Sequence, residues 1–130
     1  MMKVLIVEDD PINMKLIIEI LDSLDFMIQT ATNGFEALAM ADKDLYNLIL
    51  MDIELPGLDG IETAQRIKNK PGYNKTPIIA VTAFAMKGDR EKILDAGLDY
   101  YVSKPIHVAD FIKLISDIFK RRNNESESKR

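Results

Sequence analysis

The strictest constraint on this chain is a repeated alternation of pattern. Apolar runs of strand length occur at residues 3–7, 26–32, 47–51, 77–81 and 99–103, several of them rich in β-branched residues, and stretches of helical spacing lie between them. Strands separated by helices pair in parallel, and a parallel sheet needs cover on both faces. Five strands and five helices in this order therefore predict an α/β fold with a doubly wound parallel sheet. Asp10-Pro11 marks the start of the first helix, with a carboxylate to cap free N–H groups and proline at the first helical position. That helix is expected to run to about Leu24, with Ile17, Ile20, Leu21 and Leu24 forming its apolar stripe. The last helix carries Val108, Phe111, Ile112, Ile115, Ile118 and Phe119 on one face. Beyond it the pattern stops, and the wholly polar residues 121–130 are expected to form a frayed, disordered tail behind a domain of residues 1–120.

Composition narrows the function classes. With 130 residues, 47% of them hydrophobic and 29% charged, the chain reads as one globular domain with one core. A net charge of −4 opposes contact with nucleic acid, which needs clustered Lys and Arg. The absence of cysteine excludes disulfides, thiolate nucleophiles and zinc-thiolate sites, and suits a reducing compartment. The apolar run near the N-terminus stops at Glu8, too soon for a signal peptide or a membrane span. A cytoplasmic protein is expected.

In open α/β sheets ligands bind beyond the carboxyl ends of the strands, where the strand order reverses. Five polar residues fall at such ends: Glu8 and Asp9 after the first strand, Asp52 after the third, Thr82 after the fourth and Lys104 after the fifth. Carboxylates gathered there invite a divalent cation, and together they raise one another's pKa without one. Phosphoryl transfer onto an aspartate is the chemistry such a set supports, with Asp52 as acceptor. Taken singly, each residue has an ordinary reading: Asp52 as a loop cap, Asp10 as a helix cap, Thr82 as a β-branched strand end and Lys104 as solvated surface.

The segments covering residues 4–10, 48–60, 81–83 and 101–105 (VLIVEDD, LILMDIELPGLDG, VTA and YVSKP) resemble, in order, the motifs of the receiver domain of two-component response regulators. The likeness spans residues 3–120. Residues 83–89, with Asn13 to Leu16, are further similar to single-domain cell-cycle regulators of that family, in wording shared with receivers of hybrid histidine kinases. The resemblance implies a flavodoxin-like sheet of order 2-1-3-4-5. It implies Asp52 as phosphoacceptor, and Mg²⁺ held by Asp9, Asp52 and the backbone carbonyl of Glu54, with Glu8 acting through a bound water. It also implies Lys104 against the phosphoryl oxygens with a cis bond to Pro105, and Thr82 and Tyr101 as the moving pair of a switch. Tyr100 then faces the opposite side of the sheet. Such a protein is a signalling switch with self-catalysed phosphorylation and dephosphorylation, not a turnover enzyme. Its partners are a histidine kinase or a histidine phosphotransfer protein and, with no output domain evident in the sequence, a downstream protein target. It acts as a monomer or weak dimer without DNA or membrane contact. Glu54 and Phe84 occupy variable positions flanking the site, where charge and bulk influence hydrolysis.

Two rivals come from other classes. A metal-dependent phosphatase with an aspartyl nucleophile places its acidic residues in the reverse order and expects a second Asp where this chain has Glu54. A phosphate-independent binding module of the same fold expects a damaged pocket, whereas all five pocket residues are present. The lone histidine, His107, reads as a capping or packing residue at the last helix. Ile12 and Met14, beside the acids, suit docking of a partner helix. Gly34, Gly60 and Gly97 read as boundary residues that permit positive φ.

Overall fold

The computed structural model describes residues 2–83 and 87–128. In chain order the elements are β1 (Lys3–Val7), α1 (Pro11–Asp22), β2 (Met27–Ala31), α2 (Gly34–Lys43), β3 (Leu48–Asp52), α3 (Gly60–Lys68), β4 (Ile78–Thr82), α4 (Lys87–Asp95), β5 (Tyr100–Ser103) and α5 (Val108–Ser128). The strands form one sheet in the order β2-β1-β3-β4-β5, every neighbouring pair parallel. This is the expected doubly wound topology, and the order reverses between β1 and β3.

The strand runs are almost continuously apolar because both faces are covered. Leu5, Val7, Ile49, Met51, Ile78 and Ala80 pack with Ala37, Ala64, Ile67 and Ile93 from α2, α3 and α4. The alternate residues Val4, Ile6, Leu48, Leu50 and Ile79 pack with Ile17, Leu21, Phe111 and Ile115 from α1 and α5. Every residue of β3 and β4 is buried, whereas the edge strands β2 and β5 are largely half-buried or exposed. Period-two alternation therefore assigns Tyr101 to the first layer and Tyr100 to the second, as expected.

Local chemistry sets the helix starts. The Asp10 carboxylate accepts the Ile12 N–H at 3.0 Å, with Pro11 following at the first helical position. Asn33 and Asp59 cap α2 and α3 in the same manner, each accepting the N–H three residues on at 2.8 Å. α1 closes at Asp22, two residues before Leu24, because Ser23 caps it and Asp25 turns the chain with a φ of 63°. At the other end of the chain α5 spans Val108–Ser128, which reaches into the residues expected to form a frayed tail. Loss of the apolar stripe ends the packed face, not the backbone ladder, which Lys, Arg and Glu extend readily.

The glycines divide into two kinds. Gly97 has the expected positive φ, 100°, just after α4. Gly34 and Gly60 do not, which corrects the reading of all three as conformational glycines; they are small because of close approach. A Cβ on Gly60 would lie 2.1 Å from the Asp52 carbonyl oxygen, and one on Gly34 would lie 2.3 Å from Thr63 Oγ1. Among the described residues no helix is long and apolar enough to cross a membrane.

Candidate functional site

Each strand end at the switch point delivers one polar group. Past β1, the Glu8 N–H donates to the Ala31 carbonyl at 3.0 Å, so the ladder holds this side chain in the interior, 1% exposed. β3 ends on Asp52, 2% exposed, and β4 on Thr82, 1% exposed. Past β5, the Lys104 N–H donates to the Thr82 carbonyl at 2.8 Å, and its bond to Pro105 is cis. Asp9 faces solvent at the rim.

These groups meet. Lys104 Nζ lies 3.1 Å from Glu8 Oε1 and 3.4 Å from Asp52 Oδ1. Asp52 Oδ1 also accepts the Glu54 N–H at 3.0 Å. The Glu54 carboxylate then reaches across to β4, where Oε1 accepts both the Ala83 N–H at 2.7 Å and the Thr82 hydroxyl at 3.1 Å. This last contact has no counterpart in the sequence reading, which assigned Glu54 a role only through its carbonyl and its variable position. The other flanking residue named there, Phe84, lies outside the described residues.

The electrostatics follow from one buried ammonium facing several acids. Burial is the largest influence on Asp52 and, with the hydrogen bonding and charge of Glu8, pushes its carboxyl up to about 6 against the opposing pull of the Glu54 N–H and Lys104. Burial alone would lower the Lys104 ammonium, but Asp52, Glu8 and Glu54 outweigh it and hold the group above its ordinary value. Glu8, Asp9 and Asp52 can bring carboxylate oxygens within 4.8 Å of one another. Although close to Lys104, the buried Glu8 Oε1 makes no hydrogen bond. An under-satisfied buried oxygen in a set of hard carboxylate donors fits a hard divalent cation such as Mg²⁺.

Tyr101 lies one strand over from Thr82, with the Arg90 guanidinium of α4 5.0 Å from its ring centroid. Stacking of this kind holds a ring by about 0.5–1 kcal/mol at an accessible site. His107 is exposed at the start of α5, where its carbonyl accepts the Phe111 N–H at 3.0 Å, in keeping with a boundary role.

A family model of the response regulator receiver domain matches residues 4–116. The chain belongs to the response regulator receiver family. It is 45% identical to the polar-differentiation response regulator DivK of Brucella anthropi over 112 residues, covering 86% of this chain and 91% of that protein. The DivK protein of Brucella ovis is 44% identical over the same lengths. Among solved structures, a two-component response regulator from Clostridium difficile superposes with a TM-score of 0.87 at 26% identity, covering 95% of this chain and 99% of its own. The receiver domain of a sensor histidine kinase from Pseudomonas aeruginosa, solved with a magnesium ion coordinated in its active-site cleft, is 36% identical with a TM-score of 0.82 and covers 89% of this chain and 95% of its own. The receiver is thus a DivK-like member of a family of signalling switches, and the phosphatase alternative falls away. Magnesium binding at an acidic pocket is general to that family, and Glu8, Asp9 and Asp52 form an acidic cluster here.

Proposed function

We propose that this receiver, within residues 1–120, accepts a phosphoryl group on Asp52 from the phosphohistidine of a histidine kinase or histidine phosphotransfer protein, in a Mg²⁺-dependent reaction in the cytoplasm, and that a downstream protein reads the product. The observation that carries the reading is the buried Asp52 carboxylate in contact with Lys104, beside the buried Glu8 carboxylate that pairs with the same ammonium. A carboxylate oxygen of Asp52 forms the new bond to phosphorus as the phosphorus–nitrogen bond of the donor breaks, and the bonding pair leaves with the imidazole. Lys104 neutralises charge on the transferred oxygens. Glu8, Asp9 and Asp52, with the Glu54 carbonyl, would hold Mg²⁺, which when bound supplies positive charge to the phosphoryl oxygens. Thr82 turns its hydroxyl to the new phosphoryl group, and Tyr101, held by Arg90, responds on the β4–β5 and α4–α5 surface that biases partner binding. A groove of about 540 Å³ beside the acids, lined by Pro11, Met14, Lys15 and Ile18 among others, suits the phosphodonor helix.

Intact mass after incubation with acetyl phosphate and Mg²⁺ tests the reading. A labile single-phosphate adduct is expected, lost on Asp52→Ala and on addition of EDTA. Absence of an adduct in folded, Mg²⁺-binding protein would favour a phosphate-independent module, and an adduct retained by Asp52→Ala would refute the choice of acceptor.

The raised carboxyl of Asp52 adds a pH dependence. Below about 6 the cation must displace a proton from it, so Mg²⁺ affinity is expected to fall about tenfold per pH unit there and to level off above about pH 7. Titration calorimetry at pH 5 and 7.5 checks this; equal affinities would contradict it.

A further inference from the structure

The Thr82 hydroxyl and the Ala83 N–H converge on a single carboxylate oxygen, that of Glu54, at 3.1 and 2.7 Å. Two donors on one oxygen form an anion site at the end of β4. That site adjoins the acceptor, because Asp52 pairs with Val81 in the β3–β4 register and the Glu54 N–H donates to Asp52 itself. A phosphoryl group on Asp52 therefore enters a space beside two donors that already hold a negative charge.

We propose that the Glu54 carboxylate is a tethered substitute for the phosphoryl group, occupying the Thr82 hydroxyl and the Ala83 N–H in the unmodified protein and being displaced from them when Asp52 is modified. The inference rests on Asp52 being the phosphoacceptor. Four considerations support it. A carboxylate is acceptor-only, as phosphoryl oxygens are, so both anions suit the same donors and compete for them. The second oxygen, Oε2, is buried with no hydrogen-bond partner among the described residues, so the docked side chain leaves a polar atom unsatisfied there and is poised to leave. Glu54 is also only half-buried, which gives the side chain a route to solvent. Its charge also acts on Lys104, the cation that a phosphoryl group would need.

Glu54 is in this sense a positioning residue that opposes modification. It occupies the Thr82 hydroxyl in the resting state and competes to reclaim it afterwards. Glu54→Ala should remove the competitor; Glu54→Gln keeps the reach and an acceptor oxygen but makes it neutral, and should fall between.

The test pairs a binding measurement with a readout on the unmodified protein. Beryllofluoride, a phosphoryl mimic, is titrated at saturating Mg²⁺ into wild type, Glu54→Ala and Glu54→Gln, with acetyl phosphate labelling rates alongside. About tenfold tighter binding and faster labelling are expected for Glu54→Ala, the scale of one lost charge-assisted hydrogen bond. In metal-free, unmodified protein the Ala83 amide proton should move upfield and exchange faster in Glu54→Ala than in wild type. Equal affinities, weaker binding by the variant, or an unmoved Ala83 amide would each overturn the inference while leaving Asp52 as acceptor. Labelling of neither wild type nor variant would overturn the functional reading, and this inference with it.

Discussion

Gly60→Ala is expected to destabilise the protein by about 3 kcal/mol or more and to damage phosphoryl acceptance at the same time. The added Cβ would lie 2.1 Å from the Asp52 carbonyl oxygen, 2.7 Å from Ile53 Cα and 2.9 Å from the Asp52 carbonyl carbon. All three are backbone atoms, so no side-chain rotation relieves the overlap. Either the first turn of α3 withdraws, breaking the 3.2 Å bond from Gly60 N–H to the Ile53 carbonyl, or the peptide after Asp52 rotates and moves the carboxylate off Lys104. Urea unfolding and acetyl phosphate labelling measure the two effects. Gly88→Ala is the control, because among the described residues nothing beyond its own helix backbone and chain neighbours lies within 4 Å of its Cβ position. Equal stability of the Gly60 variant and wild type would refute the packing argument.

Asp52→Asn is expected to stabilise the metal-free protein at pH 7.5 by about 2–3 kcal/mol and to leave it nearly unchanged near pH 4. The folded protein keeps a proton on Asp52 until about pH 6, whereas the unfolded chain loses it near 3.8. Folding therefore takes up a proton between those values. The contribution of Asp52 to stability is highest at and below about 4, falls as pH rises toward 6, and stays low above. Asparagine copies the shape of the protonated acid and carries no charge to bury, so its advantage grows over the same window. Lys104 retains Glu8 as a partner in the variant. Mg²⁺ should reverse the order at pH 7.5 by stabilising only the wild type. Urea melts in EDTA and in Mg²⁺ at both pH values decide it; a variant less stable than wild type in EDTA at pH 7.5 would show that the Lys104 contact outweighs burial.

Both effects trace to positions whose identity was legible in sequence and whose geometry was not. The alternation of strands and helices announced the parallel sheet because burial on both faces forces continuous apolar runs, and Asp10-Pro11 announced α1 because capping is a local interaction. The five polar residues at strand ends were legible for the same reason: topology alone fixes where strand ends meet. Contacts between distant segments were not. Nothing in one sequence states that the Glu54 side chain crosses to Thr82, a separation of 28 residues, or that Gly60 must be bare to admit the Asp52 carbonyl. The Arg90 contact with Tyr101 belongs to the same class. The polar end of α5 is a different case: periodicity reports packing and carries no signal for a helix beyond the surface it packs on.

The strand order also governs how the site comes into being. Its acids, its hydroxyl and its cation enter the chain at residues 8, 52, 82 and 104, yet they meet only when β1, β3, β4 and β5 stand side by side. No contiguous fragment shorter than most of the domain contains them all. Phosphoryl acceptance at this crevice is therefore a reporter of complete assembly: a chain cut between β3 and β4 leaves the acids on one piece and Thr82 and Lys104 on the other, and restored labelling by acetyl phosphate would announce that the two had rejoined along the central ladder.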